Sequence, residues 1–281
     1  MKLFHQVIAD VVEHDSFNRF HRLRLRAPEI ADKALPGQFI CVYIDDEFEK
    51  RFVMPRPFSI SDANGEEIEI VFAVVGAGTA WMANLRAGDA LRILGPLGKP
   101  FTWLDGCDVA LLVGGGIGFA PLPFLAKVLK GKGVDVVAIF GAKSASEMPF
   151  KTAHEHGLRI QGSGLSVREV ARWGVPSAIA LEQSYEGTFH GSAVDLALRW
   201  LEANQDRKVA LYACGPREML RRLQSIMIER SIVGQFSVEE RMACGLGLCF
   251  GCACKVIEDG VERYKMVCVD GPVFDAHKLI L

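Results

Sequence analysis

The stretch V-A-L-L-V-G-G-G-I-G-F-A-P-L-P-F-L-A, Val109 to Ala126, carries no charge, and its reading decides the fold. A run of this length is long enough for a membrane helix. Three consecutive glycines, Gly114 to Gly116, followed by Gly118, Pro121 and Pro123, break such a helix. What remains is a buried strand, a glycine turn and a helix with Pro121 in its first turn, where a missing N–H costs nothing. "DVALLVGGG" has the continuous apolar character of a strand covered on both faces. Its turn lets a phosphate approach the backbone and meet the positive end of a helix. Gly114 and Gly116 fit the dinucleotide pattern G-x-G-x-x-G, but Phe119 stands at its third glycine and the extra glycine is Gly118. A tight turn of any α/β protein therefore stays open as an alternative.

Toward the C-terminus the theme repeats. "VDVVAIFGA", "PSAIALEQ" and "KVALYACGP" read as buried strands, with helical stretches at 119–130, 193–202 and 216–230. Alternating strand and helix predicts a parallel sheet with helices on its faces. Ligands of such sheets lie outside the carboxyl ends of the strands. Cys214, Gly215 and Pro216 then face the same crevice as the glycine turn. His154 and His156 read as a polar helix face, and Glu239 and Glu240 as solvated carboxylates.

Toward the N-terminus the pattern becomes β structure. "EEIEIVFAVV" alternates with a period of two. "QFICVYI" and "ALRILGP" are similar short strands, punctuated by Pro36-Gly37 and Asn64-Gly65. These features predict a small antiparallel barrel. A short helix is expected in "TAWMANLRAG", with Trp81, Met82 and Leu85 on one face and Gly88 as its stop. The expected division is 1–102 for the barrel, 103–234 for the α/β domain and 235–281 for a small cysteine-rich module.

In "MPRPFSIS", Met54 to Ser61, each proline disfavours the helical region for the residue before it, so Arg56 is held extended. A fixed guanidinium suits a phosphate or pyrophosphate. Phe58 can offer a ring face to a flat ligand, and Ser59 a hydroxyl at its edge. The bland alternative is a rigid loop with a solvated arginine.

Five of the eight cysteines fall after residue 243. The N-terminus is interrupted by Asp10 and Glu13 and has no signal-peptide core. A cytoplasmic protein is expected, in which thiols stay reduced and disulfides are not the explanation. A formal net charge of −2 without a basic stripe asks for neither nucleic acid nor an anionic membrane. Cys244, Cys249 and Cys252 stand as C-x4-C-x2-C, with Cys268 further on, the order of plant-type [2Fe–2S] ligands. Gly245, Gly247 and Gly251 leave room for backbone N–H groups to approach sulfur. Zinc is the rival, but its common arrangement has two C-x2-C hooks and this tail has one. Cys254 is a rival ligand, read here as a packed thiol. Cys41 and Cys107 read as ordinary buried cysteines.

Together, "RPFS", "GGGIGFAPL", "CGP" and "RMACGLGLCFGCACK" with "VCVDGPVF" resemble one family along essentially the whole chain. It is the electron-transfer subunit of type B dihydroorotate dehydrogenase, within the ferredoxin–NADP reductase superfamily. The resemblance implies an FAD-binding barrel, an NAD-binding α/β domain and a [2Fe–2S] module. It implies an FMN-bearing, dihydroorotate-oxidising partner in a heterotetramer of two of each chain, in pyrimidine (UMP) biosynthesis. By the same resemblance, Arg56, Pro57, Phe58 and Ser59, Val71, Phe72 and Ala73, and Gly78 and Thr79 contact FAD. Gly114, Gly115, Gly116 and Gly118 with Cys214, Gly215 and Pro216 serve the nicotinamide nucleotide. Cys244, Cys249, Cys252 and Cys268 hold the cluster. Where the superfamily often has tyrosine, this chain has Phe58, so stacking is available without a hydroxyl. No acid–base pair is expected in this chain. A reductase of the same superfamily serving a ferredoxin or an oxygenase, and a non-enzymatic zinc-binding interaction protein, are the alternatives.

Overall fold

The computed structural model describes residues 4–44 and 54–281. Six antiparallel strands close a barrel: β1 (His5–Phe17), β2 (Phe20–Arg26), β3 (Phe39–Tyr43), β4 (Arg56–Asn64), β5 (Glu67–Ala73) and β6 (Ala90–Leu97), in the order β1-β2-β5-β4-β3-β6. Closure leaves no free sheet edge. The alternation read in β5 puts Ile68 and Ile70 into the barrel core beside Leu23, Leu25, Ile60 and Ile93. Helix α1 (Pro28–Ala31) follows β2, and α2 (Ala77–Met82) follows β5.

The helix α2 begins earlier and ends sooner than expected. Thr79 is not its start but a capping side chain within its first turn. Its hydroxyl accepts the Val75 and Gly76 N–H groups at 2.9 and 3.2 Å and donates to the Gly76 carbonyl. Gly88, at φ +95°, belongs to a later turn.

The second sheet contains β7 (Val109–Gly115), β8 (Asp135–Ala142), β11 (Ser177–Leu181), β12 (Phe189–His190), β13 (Val209–Cys214), β14 (Val233–Ser237) and β17 (Val273–Asp275). Their order is β12-β11-β8-β7-β13-β14-β17, all parallel except the β14–β17 pair. The opening stretch behaves as expected: every residue of β7 is buried, and the chain then makes a 3-10 turn at Gly116–Phe119 before α3 (Leu122–Gly131). Pro121 is the N-cap of α3, and Pro123 takes the place inside the first turn. A small pair, β9 (Thr152–Ala153) with β10 (Ser166–Val167), and α4 (Arg168–Ala171) lie between β8 and β11. His154 and His156 are in the turn after β9, not on a helix; His156 has φ +57°. Helix α5 (Ala193–Glu202) starts from a Ser192–Asp195 capping box, and α6 (Arg217–Glu229) follows β13 directly.

The chain's last part builds a three-stranded sheet from β15 (Ala253–Glu258), β16 (Val261–Met266) and β18 (Leu279–Ile280), in the order β16-β15-β18. It does not stand apart. The expected break after residue 234 falls inside β14, and β17 returns to pair with β14, Ser237 opposite Val273. One core holds Leu111 and Val113 of β7, Cys41 and Leu97 of the barrel, and Cys252 and Cys268 of the tail. The barrel is also tied to the α/β layer by charge. Asp62 on β4 receives Lys127 of α3 at 2.7 Å and Arg172 at 2.9 Å. Among the described residues, no helix is long and apolar enough to cross a membrane.

Candidate functional site: two cavities and a cysteine loop around one segment

Two cavities and the cysteine loop meet around residues 237–244. The first is a cavity of about 260 Å³ between barrel, glycine turn and tail. Pro57, Phe58 and Ser59 of β4 line one side, and Val71, Phe72 and Ala73 of β5 the other, because β4 and β5 are antiparallel neighbours. Thr79 lines it as well, though its hydroxyl is spent on capping. The rings of Phe58 and Phe72 lie 5.7 Å apart and tilted, giving the cavity an aromatic wall. Arg56 and Gly78, the chain neighbours of Pro57 and Thr79, pack on each other. A Cβ at Gly78 would sit 2.8 Å from the Arg56 Nε, so glycine is what admits the guanidinium. The aromatic wall and the backbone of β4 and β5 fit a flavin ring, and Arg56 lies beside this cavity without lining it.

The second cavity, about 280 Å³, lies outside the carboxyl ends of β7 and β13. Gly115, Gly116 and Gly118 line it together with Gly215 and Pro216. Cys214 sits opposite Gly114 in the β7–β13 register, which is why the two turns share one crevice. Gly114 itself is beneath the surface, where a Cβ would strike the Phe140 ring at 2.6 Å. Gly115 and Gly118 are where the turns touch: their Cβ atoms would meet Met219 at 2.6 Å and the Cys214 carbonyl oxygen at 2.4 Å. The backbone is thus bare toward the cavity, as a phosphate-bearing nucleotide requires. The Cys214 thiol is pushed well above its ordinary range by burial and by the nearby Glu239 carboxylate, with the Ser237 hydroxyl opposing.

Ile117, Val238, Glu239 and Glu240 line both cavities. Glu239 was read from sequence as solvated. It is exposed, in keeping with that reading, but its exposed surface faces this shared wall, where desolvation raises its carboxyl pKa. An adjacent acidic pair carries no sequence signal of such a position. Only its place two residues past a buried strand end, "GQFSVEE", could have suggested it.

The third place is the cysteine loop. Cys252 and Cys268 are buried, Cys244 is half-buried and Cys249 is exposed. The Leu246 N–H donates to the Cys244 sulfur and the Cys268 N–H to the Cys252 sulfur, each at 3.4 Å. Gly245 and Gly247 have φ of +70° and +78°, conformations L side chains avoid. Burial would raise the Cys244 thiol, but backbone N–H groups of Leu246, Cys249 and Leu248 and the Cys249 thiol bring it down to about 7. Burial and the neighbouring Cys252 push Cys268 up to about 12, a proton that a metal would displace. The thiols contact in pairs, Cys244 with Cys249 and Cys252 with Cys268. Among the described residues, no three metal-ligating side chains converge on a single point. Paired thiolates with N–H donors fit a two-iron cluster. Cys254, raised to about 11 by burial and by Glu240, lines the second cavity. Cys41 is more than an ordinary core cysteine: its sulfur lies 2.6 Å from where a Cβ on Gly245 would be, so β3 backs the cysteine loop.

A closed six-stranded barrel beside a parallel sheet is the ferredoxin–NADP reductase-like fold. An NADH-dependent reduced ferredoxin–NADP oxidoreductase superposes with a TM-score of 0.77 at 22% identity, covering 98% of this chain and 90% of that one. The FAD/NAD-binding domain of a Vibrio cholerae nitric oxide dioxygenase gives 0.64 at 18%, over 83% and 98%. Residues 239–280 match the iron-sulfur cluster binding domain of dihydroorotate dehydrogenase B. The dihydroorotate dehydrogenase B (NAD(+)) electron transfer subunit of Caldanaerobacter subterraneus subsp. tengcongensis is 35% identical over 248 residues, 88% of each chain. That of Geobacillus sp. (strain WCH70) is 33% identical over 280 residues, 96% of this chain and 97% of the other. The chain belongs to the family of dihydroorotate dehydrogenase B (NAD(+)) electron transfer subunits.

Proposed function

We propose that this chain passes electrons between a dihydroorotate-oxidising, FMN-bearing partner subunit and NAD+, through a [2Fe–2S] cluster and FAD. It does so within a cytoplasmic heterotetramer of two of each chain that serves pyrimidine biosynthesis. The observation that carries this reading is the segment 237–244, which walls both cavities and leads directly into Cys244. Cytoplasmic placement suits eight cysteines that are all free. The tail's match to an iron-sulfur domain favours that cofactor over zinc.

FAD supplies the exchange between two-electron hydride chemistry and one-electron transfer. The residues divide the rest. Arg56 binds its phosphates, the Phe58–Phe72 wall and Ser59 orient the ring, and Val71 to Ala73 and Gly78-Thr79 shape the cradle. Gly115, Gly116, Gly118, Gly215 and Pro216 seat the nicotinamide nucleotide, Gly114 and the buried Cys214 support the two turns from beneath, and Glu239 stands at the shared wall. Cys244, Cys249, Cys252 and Cys268 hold the cluster.

Co-expression with the FMN-bearing chain tests the reading. The purified complex should show flavin and iron–sulfur absorption and reduce NAD+ with dihydroorotate. A colourless chain, or NAD+ reduction unaffected by its removal, refutes it. Arg56→Ala should weaken FAD binding by removing a charge-assisted contact worth about 1.5–3 kcal/mol; full flavin occupancy with unchanged affinity would reject that role.

Nucleotide choice is written at the ends of β8 and β11. The Gln183 N–H donates to the Lys143 carbonyl, so the loop bearing Glu182 lies beside the one bearing Lys143. Glu182 accepts from a ribose hydroxyl and repels a 2′-phosphate. NADH should reduce the flavin far more efficiently than NADPH; equal steady-state efficiencies would contradict the assignment.

A further inference from the structure

We propose that Arg217 grips the phosphates of the bound nicotinamide nucleotide, and that Glu240 is a built-in competitor for it. The proposal rests on the reading of the second cavity as the nucleotide site. Arg217 opens α6 directly after the Gly215-Pro216 turn, and Glu240 lies three residues beyond the end of β14. Both line the cavity, and the Arg217 guanidinium is paired with the Glu240 carboxylate across it.

Charge makes this pair a puzzle for a polyanion site. Among the described lining residues, Arg217 is the only side-chain cation, and two carboxylates, Glu239 and Glu240, stand beside it. A pyrophosphate at the glycine turn is repelled by both and attracted by the guanidinium alone. The Arg217 side chain keeps 60% of its exposure and that of Glu240 22%, so water screens the pair from the arginine side. Phosphate oxygens in a cleft offer a planar guanidinium the same two-pronged, charge-assisted contacts that a carboxylate does. A pyrophosphate brings two negative charges against the single one of Glu240, and this difference drives exchange of partners once a nucleotide arrives. Until then Glu240 holds the guanidinium at the cavity wall, and the cavity is less attractive to single small anions.

Calorimetric titration of NAD+ into the oxidised, flavin- and cluster-loaded complex tests this, because NAD+ cannot reduce it. Arg217→Gln should weaken NAD+ binding at least tenfold and flatten its dependence on salt. Arg217→Lys, a point charge without the fork, should recover part of the loss. Glu240→Gln should tighten binding several-fold, and most of that gain should vanish in the double variant. A pair that merely clips α6 to the segment would weaken binding in both single variants. That result, or wild-type affinity in Arg217→Gln, overturns the proposal. Wild-type protein that binds no NAD+ overturns the nucleotide reading itself, a failure distinct from either.

Discussion

Cys268→Ser should leave NADH able to reduce an artificial dye through the flavin while transfer between NADH and the partner's FMN falls to background. Cys268 is buried, and its backbone N–H is directed at the Cys252 sulfur. Serine places a hard oxygen where iron–sulfide needs a soft thiolate, so the cluster is lost or altered. The tail shares its core with β7 and the barrel, so survival of the rest is not automatic. Its anchors lie elsewhere. Phe236 pairs with Phe274 in the β14–β17 register, and the Gln224 amide on α6 donates to the Ala276 and Leu279 carbonyls at 2.6 and 2.8 Å. These should hold both cavities together without the cluster. Absorption and electron paramagnetic resonance report cluster content, and co-purification reports docking. A clusterless variant that stays docked and passes electrons at the normal rate would make the cluster structural and the relay wrong.

Gly118→Ala should abolish nucleotide binding and destabilise the fold, whereas Gly116→Ala should be milder. The two glycines, two positions apart, are required for different reasons. A Cβ on Gly118 would lie 2.4 Å from the Cys214 carbonyl oxygen, 2.5 Å from its carbon and 2.6 Å from the Gly215 Cα. All three are backbone atoms, so the β7 and β13 turns must separate, at a cost on the order of 1–3 kcal/mol. Their separation also spoils the cavity between them. Gly116 has φ +54° but nothing within 4 Å of its Cβ, so alanine there meets only the left-handed penalty of about 1–2 kcal/mol. Thermal unfolding should rank the two variants in that order, and NAD+ titration should show no binding by Gly118→Ala. Equal behaviour, or wild-type binding by Gly118→Ala, would refute the close-approach argument.

What could be read in the sequence follows from how local each signal is. The strand at Val109–Gly115 and the helix at Ala193–Glu202 announce themselves, one by a continuous apolar run and the other as a helical stretch alternating with such runs. The cysteine spacing and the "RPFS" and "CGP" segments were legible for the same reason. α2 was displaced because Thr79 looks like a helix start yet acts from inside the first turn. β17 could not be read: three residues are too few to show a period, and their partner, β14, is far away in the chain. Glu239 and Glu240 were illegible as wall residues because their positions depend on that same return.

The return of β17 also changes what kind of object the cluster segment is. Val238 donates its N–H to the Pro272 carbonyl at 2.9 Å, and Ser237 faces Val273 across the β14–β17 pair. Residues 238–272 therefore leave and rejoin the sheet at the same point. They form an insertion between neighbouring antiparallel strands, not an appendage at the end of a finished chain. A tight hairpin could span that gap, since adjacent antiparallel strands need only a few connecting residues. The barrel and sheet thus make a closed circuit without it, and the relay is a detour built into a turn.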